Sequence, residues 1–130
     1  MLPLARRGLW IAGALLIAAV IVVGSLLPGP VVQSTASWDK LEHTGAYLVL
    51  ALWIAGMLER PRYVWAAAAA FLLGALLEVA QALLTETREG DLLDLLANGT
   101  GAALALIAAH LGLGGWALRA ERWLGLGRVE

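Results

Sequence analysis

Near its start the chain carries Gly8–Leu27 (GLWIAGALLIAAVIVVGSLL), an unbroken run without a charge, preceded by Arg6 and Arg7 and ended by Pro28, Gly29 and Pro30. At about 1.5 Å per residue a helix over such a run is about 30 Å long, the thickness of a bilayer's hydrocarbon core. The apolar core of a cleaved signal peptide is only about 7–15 residues long and leads into a small-residue cleavage site. Here the core is longer and leads into Leu26, Leu27 and Pro28, so it reads as a membrane span.

Three more apolar stretches follow. Across 130 residues, 61% are apolar and 15% charged, with a mean hydropathy of +0.80. A soluble domain has about 25% charged residues, so a soluble enzyme domain, a disordered chain and a nucleic-acid binder are set aside. The expected fold is all-α: a single domain over 1–130, a bundle of four transmembrane helices at about 8–27, 39–58, 63–84 and 91–112. Ser37 is the expected N-cap of the second span, and Glu59–Arg62 a tight turn. Trp116, Ala120, Trp123 and Leu124 recur at helical spacing beside Arg119 and Arg122. That pattern suits an interfacial helix in the tail, 116–130. With no cysteine in the chain, disulfides, thiolate metal sites and cysteine nucleophiles are excluded.

Basic residues predict the orientation. Arg6, Arg7, Arg60, Arg62, Arg119, Arg122 and Arg128 fall on one side of the four-span arrangement, and only Lys40 and Arg88 on the other. Both termini are therefore expected in the cytoplasm. Asp39, Glu42, Glu86, Glu89, Asp91 and Asp94 gather on the far side, Glu59, Glu121 and Glu130 on the cytoplasmic side, and Glu78 falls within a span.

The polar residues inside the spans fall at one end of three helices. Asp39, His43 and Tyr47 are spaced i, i+4, i+8, so they share a face and reach about 12 Å inward. Glu78 and Gln81 share a face of the third span. Asp91, Asp94 and Asn98 share one of the fourth. A charge at the bilayer centre costs about 2.5–3.5 kcal/mol, and less near the interface. The three stripes should therefore face one another around a polar pocket open to the outside, with Lys40, Arg88 and His43 as partners for the acids. The first span has no such stripe and is expected to pack outside the pocket.

The same residues carry a family resemblance. Asp39-Lys40-Leu-Glu-His43-Thr-Gly-Ala-Tyr47 resembles the DKxxHxxxY signature of VanZ-like membrane proteins, Glu78-Val-Ala-Gln81 their ExxQ, and Asp91-Leu-Leu-Asp94-Leu-Leu-Ala-Asn98-Gly-Thr-Gly101 their DxxDxxxNxxG. Order, spacing and span placement agree over about 9–110. The stretch Thr87-Arg88-Glu89-Gly90 departs from the Gly-Arg pair and aromatic often found before the third motif, with Arg88 displaced by one or two positions. The resemblance implies a teicoplanin-resistance-type architecture in a prokaryotic cell envelope. It does not imply a reaction.

Three functions follow from such a pocket. The first is binding of an envelope lipid, a lipid-linked precursor or a lipoglycopeptide-type amphiphile. The second is hydrolysis or group transfer on a lipid-linked substrate, with His43, Glu78 and Asp94 as acid/base candidates. The third is a structural partnership with another membrane protein, or a homo-oligomer. Asp39, His43, Glu78, Asp91 and Asp94 are also candidate oxygen and imidazole ligands for a divalent cation. Against these stands a hydrogen-bonded network that only fixes helix register, at about 0.6 kcal/mol per interhelical bond. Gly101, spaced four from Ala97 and Ala105, is expected to permit close helix packing. Asn98 is expected to bond across helices to Glu78 or Tyr47, His110 to snorkel or cap, and the six tryptophans mostly to anchor span ends. No HExxH, GxSxG, P-loop or dinucleotide fingerprint is present.

Overall fold

The computed structural model describes residues 1–26, 36–84 and 91–126, without the side chains of 36 and 37. Residues 27–35, 85–90 and 127–130, Arg88 and Arg128 among them, lie outside the described residues. The described residues hold no strand and are mostly helical, with short turns between the helices: α1 (Arg7–Leu26), α2 (Ala36–Gly56), α3 (Tyr63–Leu84), α4 (Leu92–Ala108) and a short α5 (Trp116–Trp123). Three helical stretches are long and apolar enough to cross a membrane: Arg7–Leu26, Arg60–Leu84 and Leu92–Leu113. The second includes a 3₁₀ turn, Arg60–Arg62, and the third a π-helical turn, Ala109–Leu113. Of comparable length, α2 brings Asp39, Lys40 and Glu42 into its first two turns.

Small residues decide how closely the helices approach. On α4, Ala97, Gly101, Ala102 and Ala105 are buried, and on α3 Ala66, Ala70 and Gly74. Ala70, Ala102 and Ala105 pack with Tyr47, Leu50 and Ala51 of α2, and Ala66 with Ala55. Gly101 lies against the α2 backbone, where an added Cβ would collide with the Thr44 carbonyl oxygen. Without a hydrophobic force between helices in lipid, such close van der Waals packing and interhelical hydrogen bonds are what hold a bundle together. The large apolar side chains point outward instead: Leu15, Leu16, Leu76, Leu83 and Leu111 are all more than half exposed. No residue of α1 is buried, so α1 lies at the edge of the bundle.

At the end expected in the cytoplasm, the chain knits into a compact cap. Gly112 (φ 119°) and Gly115 (φ 65°) take left-handed conformations that end α4 and turn the chain into α5. Arg119 donates to the carbonyls of Gly114 and Gly112, both at 2.9 Å, placing a cation where the C-terminus of the α4 helical stretch needs one. Trp10, Trp53 and Trp116 meet edge-to-face or tilted, with ring centroids 5.1–5.8 Å apart. Each indole N–H has a partner: Glu121, the Trp10 carbonyl and the Leu52 carbonyl, respectively.

Several expectations need correction here. Ala36 and Ser37 are already helical, so Ser37 does not cap α2, and α2 ends at Gly56 rather than Leu58. Half of the tryptophans form the packed triad, while Trp38, Trp65 and Trp123 remain exposed. The tail does form a helix, but Trp116 turns inward with buried Ala117 and Glu121, leaving Trp123 and Leu124 outside. His110, expected to snorkel or cap, needs no correction: it bonds the Leu106 carbonyl in the last turn of α4 at 3.1 Å and meets the Tyr63 ring edge-on.

Candidate functional site

Asp91 starts α4. Its Oδ1 accepts from the Leu93 N–H at 2.8 Å, so the side chain caps the helix. Its Oδ2 accepts from the Lys40 ammonium at 2.7 Å. Lys40 also donates to Asp94 Oδ1 and lies 3.5 Å from Asp39 Oδ2. One ammonium thus serves three carboxylates from two helices. The cap explains why Asp91 stands just before the apolar run: four orphan N–H groups at a helix start need an acceptor.

The cluster continues inward. Asp94 Oδ2 faces His43 Nε2 at 3.8 Å, and His43 Nδ1 donates to Asn98 Oδ1 at 2.9 Å. With Asn98 as acceptor the neutral ring keeps its proton on Nδ1, and Nε2 is left as a lone pair beside Asp94. Asn98 is fully buried, and its Nδ2 is the one buried side-chain polar atom without a partner among the described residues. Asn98 therefore bonds across helices, but to His43 rather than Glu78 or Tyr47. Glu78 is buried and accepts from the Asp91 backbone N–H at 3.1 Å. Gln81 reaches α1, donating to the Ser25 carbonyl at 2.9 Å.

A cavity of about 240 Å³ opens beside this cluster. Asp39, Glu42, His43 and Tyr47 of α2 form one wall; Val20, Ile21, Gly24 and Ser25 of α1 form the other. The expectation that the first span packs outside the pocket is therefore overturned. The polar cluster joins α2, α3 and α4, but the open space lies between α1 and α2. The signal that could have pointed to α1 was weak: Gly24 and Ser25 are small residues near the C-terminal end of a run that holds small residues elsewhere too, such as Gly13 and Ala18.

The five candidate metal ligands do not converge as a set. Asp39, His43 and Asp94 each offer a ligand atom within 4.8 Å of the others. Glu78 and Asp91 are turned toward the start of α4 and toward Lys40. The Lys40 ammonium already lies against Asp94 and Asp39, so a divalent ion at the trio would meet a fixed positive charge.

Lys40 holds this end of the bundle together. Lys40→Met would leave Asp91 and Asp94 facing each other without a counter-charge. The Lys40 side chain is 27% exposed, so water softens the penalty. A loss of about 1–3 kcal/mol in unfolding free energy is expected, read by denaturation in detergent.

Comparisons with family models, with curated proteins and with solved structures return no match to this chain.

Proposed function

We propose that the chain is a VanZ-like membrane protein that binds the polar head of an envelope amphiphile from the outer leaflet. The amphiphile is a lipid, a lipid-linked precursor or a lipoglycopeptide-type molecule. In this reading α2 is the fourth span beside the three apolar ones, and both termini are cytoplasmic. The three motifs support the family, and the seven arginines of the N-terminus, the 59–62 turn and the tail support the orientation.

The observation that carries the binding reading is the cavity between α1 and α2, with carboxylates, an imidazole and a phenol on one wall and aliphatic side chains on the other. Ligand sites combine an apolar lining with a few polar groups in this way. Binding is favoured over turnover because the acid/base candidates are engaged with one another. His43 faces Asn98 and Asp94 through its two nitrogens, and Asp94 faces Lys40 and His43 through its two oxygens.

Native mass spectrometry of gently extracted protein tests this, with wild type beside His43→Ala and Asp94→Asn. A lipid-mass adduct on the wild type that both folded variants lose is expected. An adduct-free wild type, or adducts that no variant alters, overturns the reading. The orientation has its own check, made simple by a cysteine-free chain. A cysteine replacing exposed Trp38 should be labelled by an impermeant thiol reagent from outside the cell, and one replacing exposed Trp123 only from inside.

A further inference from the structure

We infer that the end of the bundle opposite the polar cluster holds a second lipid site, which seats an acyl chain of an anionic phospholipid and pairs its phosphate with Arg6. In the orientation proposed above it opens to the cytoplasmic leaflet. It shares no lining residue with the cavity between α1 and α2, so it is tested independently of the binding proposed there.

The site is an apolar groove of about 320 Å³. Leu9, Trp10 and Gly13 of α1, Trp53 of α2, and Leu124 and Leu126 after α5 line it, and Arg6 is its one charged residue. Three local features build it. Gly13 has no side chain, and the Trp53 ring lies where an added Cβ would stand. The Trp10 and Trp53 indole N–H groups are spent on Glu121 and the Trp10 carbonyl, so the two rings bring the groove no unpaired donor. Gly125, at φ 66°, closes a Schellman motif after α5: the Leu126 N–H donates to the Glu121 carbonyl at 2.9 Å, and the Gly125 N–H to the Arg122 carbonyl at 3.3 Å. That turn brings Leu126 into the same groove as Leu9 and Trp10.

Charge selects the occupant. Arg6 directly precedes α1, and Leu9, Trp10 and Gly13 follow it at i+3, i+4 and i+7. A cation and an apolar hollow therefore share one helix face, spread over about 10 Å. A phospholipid has the same order, a charged head at the surface and its chains beneath. Arg6 is exposed, and its guanidinium makes no hydrogen bond or ion pair among the described residues. Its charge acts on Glu121, but that carboxylate is 1% exposed and both of its oxygens are taken by N–H donors. Arg7 and Arg122 are exposed and unpaired in the same way, whereas Arg119 is tied to the Gly112 and Gly114 carbonyls. A free guanidinium matches a phosphate's paired oxygens. At about 30 Å³ per water-sized group the groove takes about ten of them, a length of one acyl chain.

Tryptophan fluorescence reads the groove directly. With exposed Trp38, Trp65 and Trp123 replaced by phenylalanine, only the triad emits, and brominated acyl chains quench the rings they touch. In detergent, dibrominated phosphatidylglycerol should quench this full-length chain at about fivefold lower mole fraction than dibrominated phosphatidylcholine, the contribution of one arginine at an anionic surface. Arg6→Gln should bring the two lipids toward parity, while Arg60→Gln with Arg62→Gln should leave the preference in place. Leu124→Ser should weaken quenching by both lipids severalfold. These side chains are exposed, so the variants keep the fold and the comparison stays readable. Equal quenching by the two lipids before Arg6 is changed would overturn the anionic site and leave a hollow that any chain fills. A preference that survives Arg6→Gln but is lost with Arg60→Gln and Arg62→Gln would overturn it in favour of the basic surface as a whole. Quenching by neither lipid would overturn it as well, in favour of a second copy over the groove where the protein sediments as a dimer.

Discussion

Glu121→Ala is expected to lower the unfolding free energy by about 3–5 kcal/mol, the cost of leaving buried N–H donors without their charged acceptor. Glu121 is 1% exposed. Its carboxylate accepts from the Ala5 N–H at 2.7 Å, the Arg6 N–H at 2.8 Å and the Trp10 indole N–H at 2.8 Å. The first two belong to the entry of α1, so a side chain from α5 caps a helix that begins more than a hundred residues earlier. The anion also sits at the positive end of the α1 dipole. Burial alone would raise this acid's pKa, but the three N–H donors and the nearby Arg6 charge outweigh it and hold the pKa below the usual carboxylate range. A depressed folded-state pKa contributes stability that is present above the unfolded value, about 4.3, and lost as pH falls through the folded one. Thermal melts of wild type should therefore weaken as pH drops below about 4, and Glu121→Ala should flatten that limb. Glu121→Gln, which keeps one acceptor oxygen, should fall between the two. Equal stability of wild type and Glu121→Ala at neutral pH would contradict this account of the cap.

Gly101→Ala carries the second large effect. Its new Cβ would overlap the Thr44 carbonyl oxygen and come within 2.9 Å of the Leu48 backbone nitrogen. Backbone cannot rotate aside as a side chain can, so α2 and α4 must separate. The cost of such overpacking is about 3 kcal/mol. Separation would also pull Lys40 and His43 from Asp94 and Asn98, so ligand adducts should weaken along with stability. Gly45→Ala is the matched control. It lies in α2 with nothing near its Cβ, and alanine is the better helix former by about 1 kcal/mol. Its stability should hold or rise slightly. A Gly101→Ala protein as stable as Gly45→Ala would contradict the close α2–α4 approach.

Much of this arrangement is legible in the sequence because helical spacing carries it. Asp39, His43 and Tyr47 at intervals of four share one face, as do Asp94 and Asn98. The structure brings four of these together through Lys40 and through the His43–Asn98 bond. Gly101 with Ala97 and Ala105 marks a close-packed face, and all three are buried. What spacing cannot carry is a partner that is backbone. Gln81 meets the Ser25 carbonyl, and Glu78 the Asp91 N–H; neither partner has a residue-type signature, so the share of α1 in the site stays hidden. Asp91 reads as a ligand when it is listed among acids, yet its place directly before Leu92 and Leu93 is a capping position. Glu121, between Arg119 and Arg122 in the tail, looks like a surface charge. Its spacing of four from Ala117 was the available sign that it faces inward.

The cavity itself can be probed from within. Gly24 lines it and has open space beyond its Cα, so Gly24→Cys adds a thiol to the cavity wall of a cysteine-free chain without displacing a neighbour. The account predicts that an impermeant maleimide added outside intact cells labels this cysteine. It also predicts that, in detergent, adding a membrane lipid extract slows the labelling severalfold while a cysteine at exposed Trp38 is unaffected. Labelling only from the cytoplasmic side, or a rate that no lipid changes, would contradict an outward-facing amphiphile site.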